Sequence, residues 1–302
     1  MSRKINWPLI AVLIGNSIFG FSFLFSKLAL QITVPTVLIA VRFTAAFLLL
    51  NLIVLVGRRM KNRNGEALIT FTLKGKPLGP ILLLALFQPV LYYIAENYGI
   101  MYTSSAFAGI IIAVIPLMGI VLDVLLMHAK VSAKQILCAV CSVAGVAITT
   151  IGAQDLNSSL KGVCFLMVAV LSGALFYVLS KNAGKYYSAL ERTYVMFGIG
   201  SAVYLLLAAV QCRGSYDQLI VQALAQPVFW LSILYLSVFS SVIAFLLLNY
   251  GSNSVSVTKA TLFANFATVI SVLAGVLVLR ETFTWQQLVG ALIILGSVYV
   301  AR

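Results

Sequence analysis

Ten apolar segments, each close to the length needed to cross a bilayer, follow one another along this 302-residue chain with short polar breaks between them. An α-helix rises 1.5 Å per residue, so about 20 mainly apolar residues cross a hydrocarbon core of roughly 30 Å. The qualifying segments are 8–30, 35–57, 77–101, 104–128, 132–152, 160–181, 188–211, 228–250, 256–279 and 284–301. Backbone polar groups in hydrocarbon must find their partners within the segment, so each is expected to be helical. The expected fold class is an all-α integral membrane protein of ten transmembrane helices, with almost no chain left for a soluble domain. Composition agrees, because only 9% of residues are charged where a soluble domain carries about 25%.

The segments also repeat. Residues 97–148 fall on 249–300 without a gap, Asn97-Tyr98-Gly99 on Asn249-Tyr250-Gly251, Ser104 on Ser256 and Gln135 on Gln287. Upstream, Ser26-Lys27 falls on Ser180-Lys181. Identity is low, and the order of apolar spans and polar breaks carries the alignment. Division at 153/154 gives two repeats, 1–153 and 154–302, of five spans each. Five is odd, so the second repeat crosses the membrane in the opposite sense, the plan of many secondary transporters.

Charge placement sets an orientation. With the N-terminus cytoplasmic, fifteen of the twenty Lys and Arg residues fall on the cytoplasmic side and four outside, while Arg42 lies within a span. This obeys the positive-inside rule and puts both termini on the cytoplasmic side. The net charge of +13 then reflects topology and anionic headgroups near the basic 58–76 loop, not a nucleic-acid partner. Met1-Ser2-Arg3-Lys4 before a full-length span reads as a signal anchor. Cys138-x-x-Cys141 lies in an apolar helix without His or acidic company, and Cys164 and Cys212 stand apart. All four are expected to pack, and with His128 the single histidine, neither a metal site nor a cofactor is expected.

Polar groups in lipid collect where helices meet each other or water. On the ninth span Thr258, Thr261, Asn265 and Thr268 form one stripe, and the matching positions of the fourth span are the small residues Ala106, Gly109, Ala113 and Pro116. These faces either pack tightly or flank a central cavity, and Pro116 would bend its helix around one. The first span offers Asn16, Phe19, Gly20, Phe23 and Lys27 on one face, and the sixth offers Gly173, Ala174, Tyr177 and Lys181. Rings beside an amide suit an organic solute better than a bare ion. Gln88, Tyr92 and Glu96 align at i, i+4 and i+8 on the third span. Glu96 lies about five residues inside its span, where an unpaired carboxylate is costly. Three roles are open to it: a pair with Arg42, which is the first expectation, contact with a substrate cation, or carriage of a coupled proton. Asp123, near the inner end of the fourth span, has Lys181 and Lys130 as its candidate partners.

These residues together resemble the EamA family of the drug/metabolite transporter superfamily. The resemblance is carried by Phe19-Gly20-Phe21-Ser22-Phe23 with Lys27, by Ala40-Val41-Arg42-Phe43-Thr44-Ala45-Ala46-Phe47, and by 98–106 between spans three and four. Leu279-Arg280-Glu281 and 289–296 carry it in the second half. It implies two inverted five-helix repeats around a central cavity and alternating-access transport of small metabolites, usually amino acids and related compounds, often exported. Arg42 matches the arginine of the family's second span and Glu281 the glutamate after its ninth. The first half has Ala129 at the position equivalent to Glu281, and Glu96 falls outside the general motif.

The reading is a permease, not an enzyme, whose partners are a small-molecule substrate and the lipid bilayer. Asn16, Phe23, Tyr92, Glu96, Tyr177, Thr261 and Asn265 are expected to line its substrate site, with Arg42, Asp123 and Glu281 as structural or coupling charges. A flippase or nucleotide-sugar carrier would want a cationic cavity, and the expected lining is nearly neutral. A membrane-embedded lipid-modifying enzyme would need clustered acids or a nucleophile with a base, and the seven acids are scattered.

Overall fold

The computed structural model describes residues 7–60, 68–127, 132–151, 156–215, 217–251, 254 and 257–300, with side chains at all of these except 123, 124, 126, 127, 135, 156–158, 217, 218 and 257–266. Every regular element among them is helical. In chain order these are α1 (Trp7–Leu30), α2 (Pro35–Arg59), α3 (Leu78–Tyr102) and α4, in two segments, Ser105–Ile112 and Ile115–Met127. Then come α5 (Ala133–Ile151), α6 (Leu156–Ala183), α7 (Ala189–Gln211), two short helical turns at Asp217–Val221 and Gln222–Leu224, α8 (Pro227–Gly251), α9 (Val257–Leu277) and α10 (Trp285–Val300). Among the described residues seven helical stretches are long and apolar enough to cross a membrane: α1, α2, α3, the Ser105–Leu122 part of α4, α6 from Ser159, α7 and α8. The apolar stretches Ile136–Ile151, Ala267–Leu277 and Trp285–Val300 are shorter.

Three interruptions shape the middle of the bundle. Helix α3 widens into a π turn at Leu86–Leu91, where Gln88 leaves helical geometry (φ −146°, ψ 117°) ahead of Pro89. Helix α8 widens likewise at Tyr235–Ile243. Helix α4 breaks at Ala113 and Val114, two residues before Pro116, whose nitrogen has no hydrogen for the carbonyl four residues back. The carbonyls around Pro89 find a donor on α7, where the Tyr204 hydroxyl lies 2.7 Å from both Pro89 O and Val90 O. Buried polar backbone is thereby satisfied across helices, as hydrocarbon demands.

Small residues let the helices close on one another. A Cβ at Gly20 of α1 would come 2.6 Å from Ile270 Cβ and 2.9 Å from the Ala267 carbonyl on α9. On α4, a Cβ at Gly109 would lie 1.8 Å from Ser271 Oγ, and Thr268 donates to the Gly109 carbonyl at 2.9 Å. The small-residue stripe of the fourth span is therefore at Gly109 a packing seam against α9. A Gly109→Val protein is expected to lose about 1–3 kcal/mol, the usual cost of overpacking, read as an earlier midpoint in a denaturant titration in detergent.

Candidate functional site

Two sets of caps hold the ends of the bundle. At the end where α1 stops, Lys27 donates from Nζ to the carbonyls of Ile100 (2.9 Å) and Thr103 (2.5 Å), closing the C-terminus of α3. Beside it, Glu281 accepts from the backbone N–H groups of Ser105 (2.8 Å) and Ala106 (3.0 Å) and from the Ser105 hydroxyl. Ser104 Oγ accepts from Phe107 N–H. The first three amides of α4 are thus all occupied, and the cation and the carboxylate complement the two helix dipoles. Removing the carboxylate in Glu281→Ala is expected to cost about 0.5–2 kcal/mol, the range for losing a helix cap, measurable as a lower thermal midpoint.

At the opposite end the N-terminus of α7 gathers the chain. Ser188 and Glu191 form a reciprocal capping box, and Glu191 also takes Thr72 N–H (3.0 Å) and Lys76 Nζ (2.5 Å) from the segment before α3. Arg192, fully buried, donates to the carbonyls of Ser180 (2.5 Å) on α6 and Asn249 (2.6 Å) on α8. Ser180 Oγ in turn donates to Asn249 Oδ1 at 2.8 Å, and Asn249 Nδ2 donates to Thr193 Oγ1 at 2.9 Å. Sequence reasoning treated Arg192 only as a topology charge. Its place in the first turn of an apolar span, next to Glu191, was the signal that it serves helix ends.

Between these ends, α1, α3, α4, α6, α8 and α9 enclose a narrow pocket of about 40 Å³. At ~10–15 Å³ per water that is room for about three waters. Asn16, Phe19 and Phe23 reach it from α1, Gln88, Tyr92, Tyr93 and Glu96 from α3, and Gly173, Phe176 and Tyr177 from α6. Ile112 and Ile115, one on each side of the break in α4, close another wall, with Leu248 and Ala267 completing it. The break and the π turn of α3 both abut this space, in keeping with the frequent association of π turns with functional sites.

Glu96 is buried, and its Oε1 accepts from the Tyr92 hydroxyl at 2.9 Å. The expected pair with Arg42 does not form, because the one ion pair among the described residues joins Lys76 to Glu191. Arg42, fully buried, instead donates from Nε to Ser241 Oγ (2.9 Å) and from an Nη to Ser240 Oγ (2.8 Å), both on the π turn of α8. Its guanidinium also lies 4.3 Å from the ring centre of Tyr93. Hydroxyls and a ring face take the role that sequence reasoning gave to a carboxylate, and Arg42 acts on Glu96 only at longer range.

Of the residues singled out from sequence, Asn16, Phe23, Tyr92, Glu96 and Tyr177 surround this one pocket. Thr261 and Asn265 are on α9 and Asp123 on α4, with side chains outside the described set. Glu281 and Arg42 stand apart from the pocket lining. Tyr93 and Phe176 were missed. Each neighbours a residue singled out on the same helix, and the wide α3 turn brings both Tyr92 and Tyr93 to the pocket, which a regular helical wheel does not anticipate.

Interrupted apolar helices around a pocket with one carboxylate among the described residues mark a multi-pass membrane protein. The chain belongs to the EamA-like transporter family, whose description matches residues 6–151 and again 160–302. It is 31% identical over 293 residues to the uncharacterized transporter YcxC of Bacillus subtilis, covering 96% of this chain and 90% of that one. An uncharacterized transporter of Archaeoglobus fulgidus is 22% identical over 297 residues, 98% of each chain. A solved crystal structure superposes with a TM-score of 0.63 at 18% identity, over 97% of this chain and 96% of the other, a likeness of fold.

Proposed function

We propose that this chain is a secondary permease that moves a small organic metabolite, an amino acid or related compound, across the bacterial cytoplasmic membrane. It works by alternating access between two inverted five-helix repeats, 1–153 and 154–302, with both termini cytoplasmic. The observation that carries this reading is the small central pocket, built from helices of both halves beside the interruptions of α3 and α4. The π turns of α3 and α8 overlap when one half is laid on the other at the 152-residue offset, which supports the repeat. A site with room for about three waters releases its cargo only by opening, and the caps at the two ends mark where each opening would occur. The substrate must bind the outward-facing and inward-facing states with different free energies for its binding to shift the equilibrium between them.

The test uses Gly173. A Cβ there would fall 2.7 Å from Ile115 Cδ1 and 3.2 Å from Tyr92 Cε2, so Gly173→Val fills the pocket. A thermal-shift screen of the purified protein against amino acids, amines, sugars and nucleotides first supplies a ligand, since a native-state ligand raises the melting temperature. Proteoliposome uptake of that ligand is then expected to vanish in Gly173→Val and persist in Gly296→Ala, where no atom lies within 4 Å of the new Cβ. Undiminished uptake by Gly173→Val would place the pathway elsewhere.

A further inference from the structure

Among the described residues the pocket offers acceptors and no cation. Glu96 is 3% exposed, and with Oε1 taken by Tyr92 its second carboxylate oxygen has no protein partner among the described residues. Gln88, 5% exposed, lines the same space, and its Oε1 is buried without a hydrogen-bond donor. No Lys, Arg or His side chain lines the pocket among the described residues. Arg42 is engaged by Ser240 and Ser241 and covered by Tyr93, and Lys27 is spent on the end of α3. The other walls are largely aromatic, from Phe19, Phe23, Phe176 and Tyr177. Ring faces carry the negative end of the aromatic quadrupole and attract cations.

We propose that the pocket binds an organic monocation, a protonated amine carried on an apolar or aromatic body. This rests on the central pocket being the substrate site, and it narrows the proposed substrate from amino acids to related amines that lack the carboxylate. The ammonium donates to the free oxygen of Glu96 and to Gln88 Oε1, and its remaining face is turned to the rings. Its charge neutralises a carboxylate that has no cation in contact among the described residues, and the two acceptors gain donors. A carboxylate ligand meets the like charge of Glu96. A zwitterion satisfies Glu96 but buries its own carboxylate with no cationic partner among the described residues. A neutral alcohol of the same shape keeps the ring contacts and loses the charged hydrogen bond.

Four probes that share a phenyl body and differ in charge test this: 2-phenylethylamine, 2-phenylethanol, phenylacetate and phenylalanine. Their dissociation constants for the purified full-length protein in detergent are measured by calorimetry. The amine is expected to bind at least about tenfold more tightly than the other three, the scale of one charge-assisted hydrogen bond. Glu96→Gln is expected to weaken the amine by about 10- to 100-fold and to leave the alcohol within about threefold. Gln88→Leu, which keeps Glu96, is expected to weaken the amine several-fold and serves if Glu96→Gln does not fold. Absence of amine binding overturns the proposal. Tighter binding of phenylalanine or phenylacetate that is lost in Gly173→Val also overturns it, while leaving the pocket as the site. Binding that Gly173→Val leaves unchanged removes the central site itself.

Discussion

An Arg42→Ala protein is expected to lose about 3–4 kcal/mol of stability, enough to prevent recovery of most of the folded protein from the membrane. Truncation strips the hydrogen bonds from Ser240 and Ser241 and empties the space beside Tyr93 and Phe43, against which the guanidinium is packed. A buried hydroxyl left without a partner costs about 1–3 kcal/mol, and a desolvated cation–π contact contributes about 2 kcal/mol or more. Relief of the guanidinium's own desolvation offsets part of this, since its second Nη has no acceptor. Arg42→Met keeps most of the volume without the charge and is expected to recover more than half of the loss. Arg42→Lys is expected to recover little, because an ammonium lacks the planar fork that reaches two serines while stacking on a ring. Denaturation midpoints in detergent rank the three. A methionine variant as unstable as the alanine variant would mean that charge, not packing, dominates here.

Glu96→Gln is expected to reduce transport of a cationic substrate by about a hundredfold while moving the melting temperature by only a few degrees. The amide is nearly isosteric and can still accept from the Tyr92 hydroxyl, so the fold keeps its contact. What it loses is the charge that offsets a bound ammonium, a difference of about 1.5–3 kcal/mol for a hydrogen bond to a charged group. Glu96→Asp keeps the charge but retracts it by one methylene, away from Tyr92, and is expected to fall between the two. Initial rates in proteoliposomes at saturating and low substrate separate weaker binding from slower turnover. If Glu96→Gln retains parental rates at both, the carboxylate has no part in the cycle.

The helices were legible because hydrocarbon thickness fixes the length of an apolar run, and residues 35–57 became Pro35–Arg59 with ends within two positions. One interruption was read as well, since Pro116 stands in the fourth span as a missing donor, and Pro89 carries the same signal in the third without having been read as a break. The π turn of α8 was not legible, because residues 235–243 contain no proline and only Ser237, Ser240 and Ser241 break their apolar character. The pocket face of α1 emerged from spacing alone, as Asn16, Phe19 and Phe23 share one side of a regular helix. The partner of Arg42 was misread for a physical reason. Depth along a span is readable from sequence, whereas which neighbouring helix a side chain meets is not, and Arg42 meets α8. Glu281 was flagged by resemblance, but nothing local foretold that it would cap a helix 176 residues earlier.

Arg42 enters the membrane long before its partners exist, because Ser240 and Ser241 lie 198 and 199 residues further along. At ~5–20 residues per second, the ribosome needs roughly 10–40 s to reach them. During that interval the nascent first half holds a guanidinium without its acceptors and an α4 whose leading amides still await Glu281. The last-made helices therefore complete the first-made ones, and the newborn chain depends on the insertion machinery or on lipid headgroups to shelter Arg42 until α8 arrives. A chain that stops short of Ser240 is not half a working protein but unfinished material for membrane proteases.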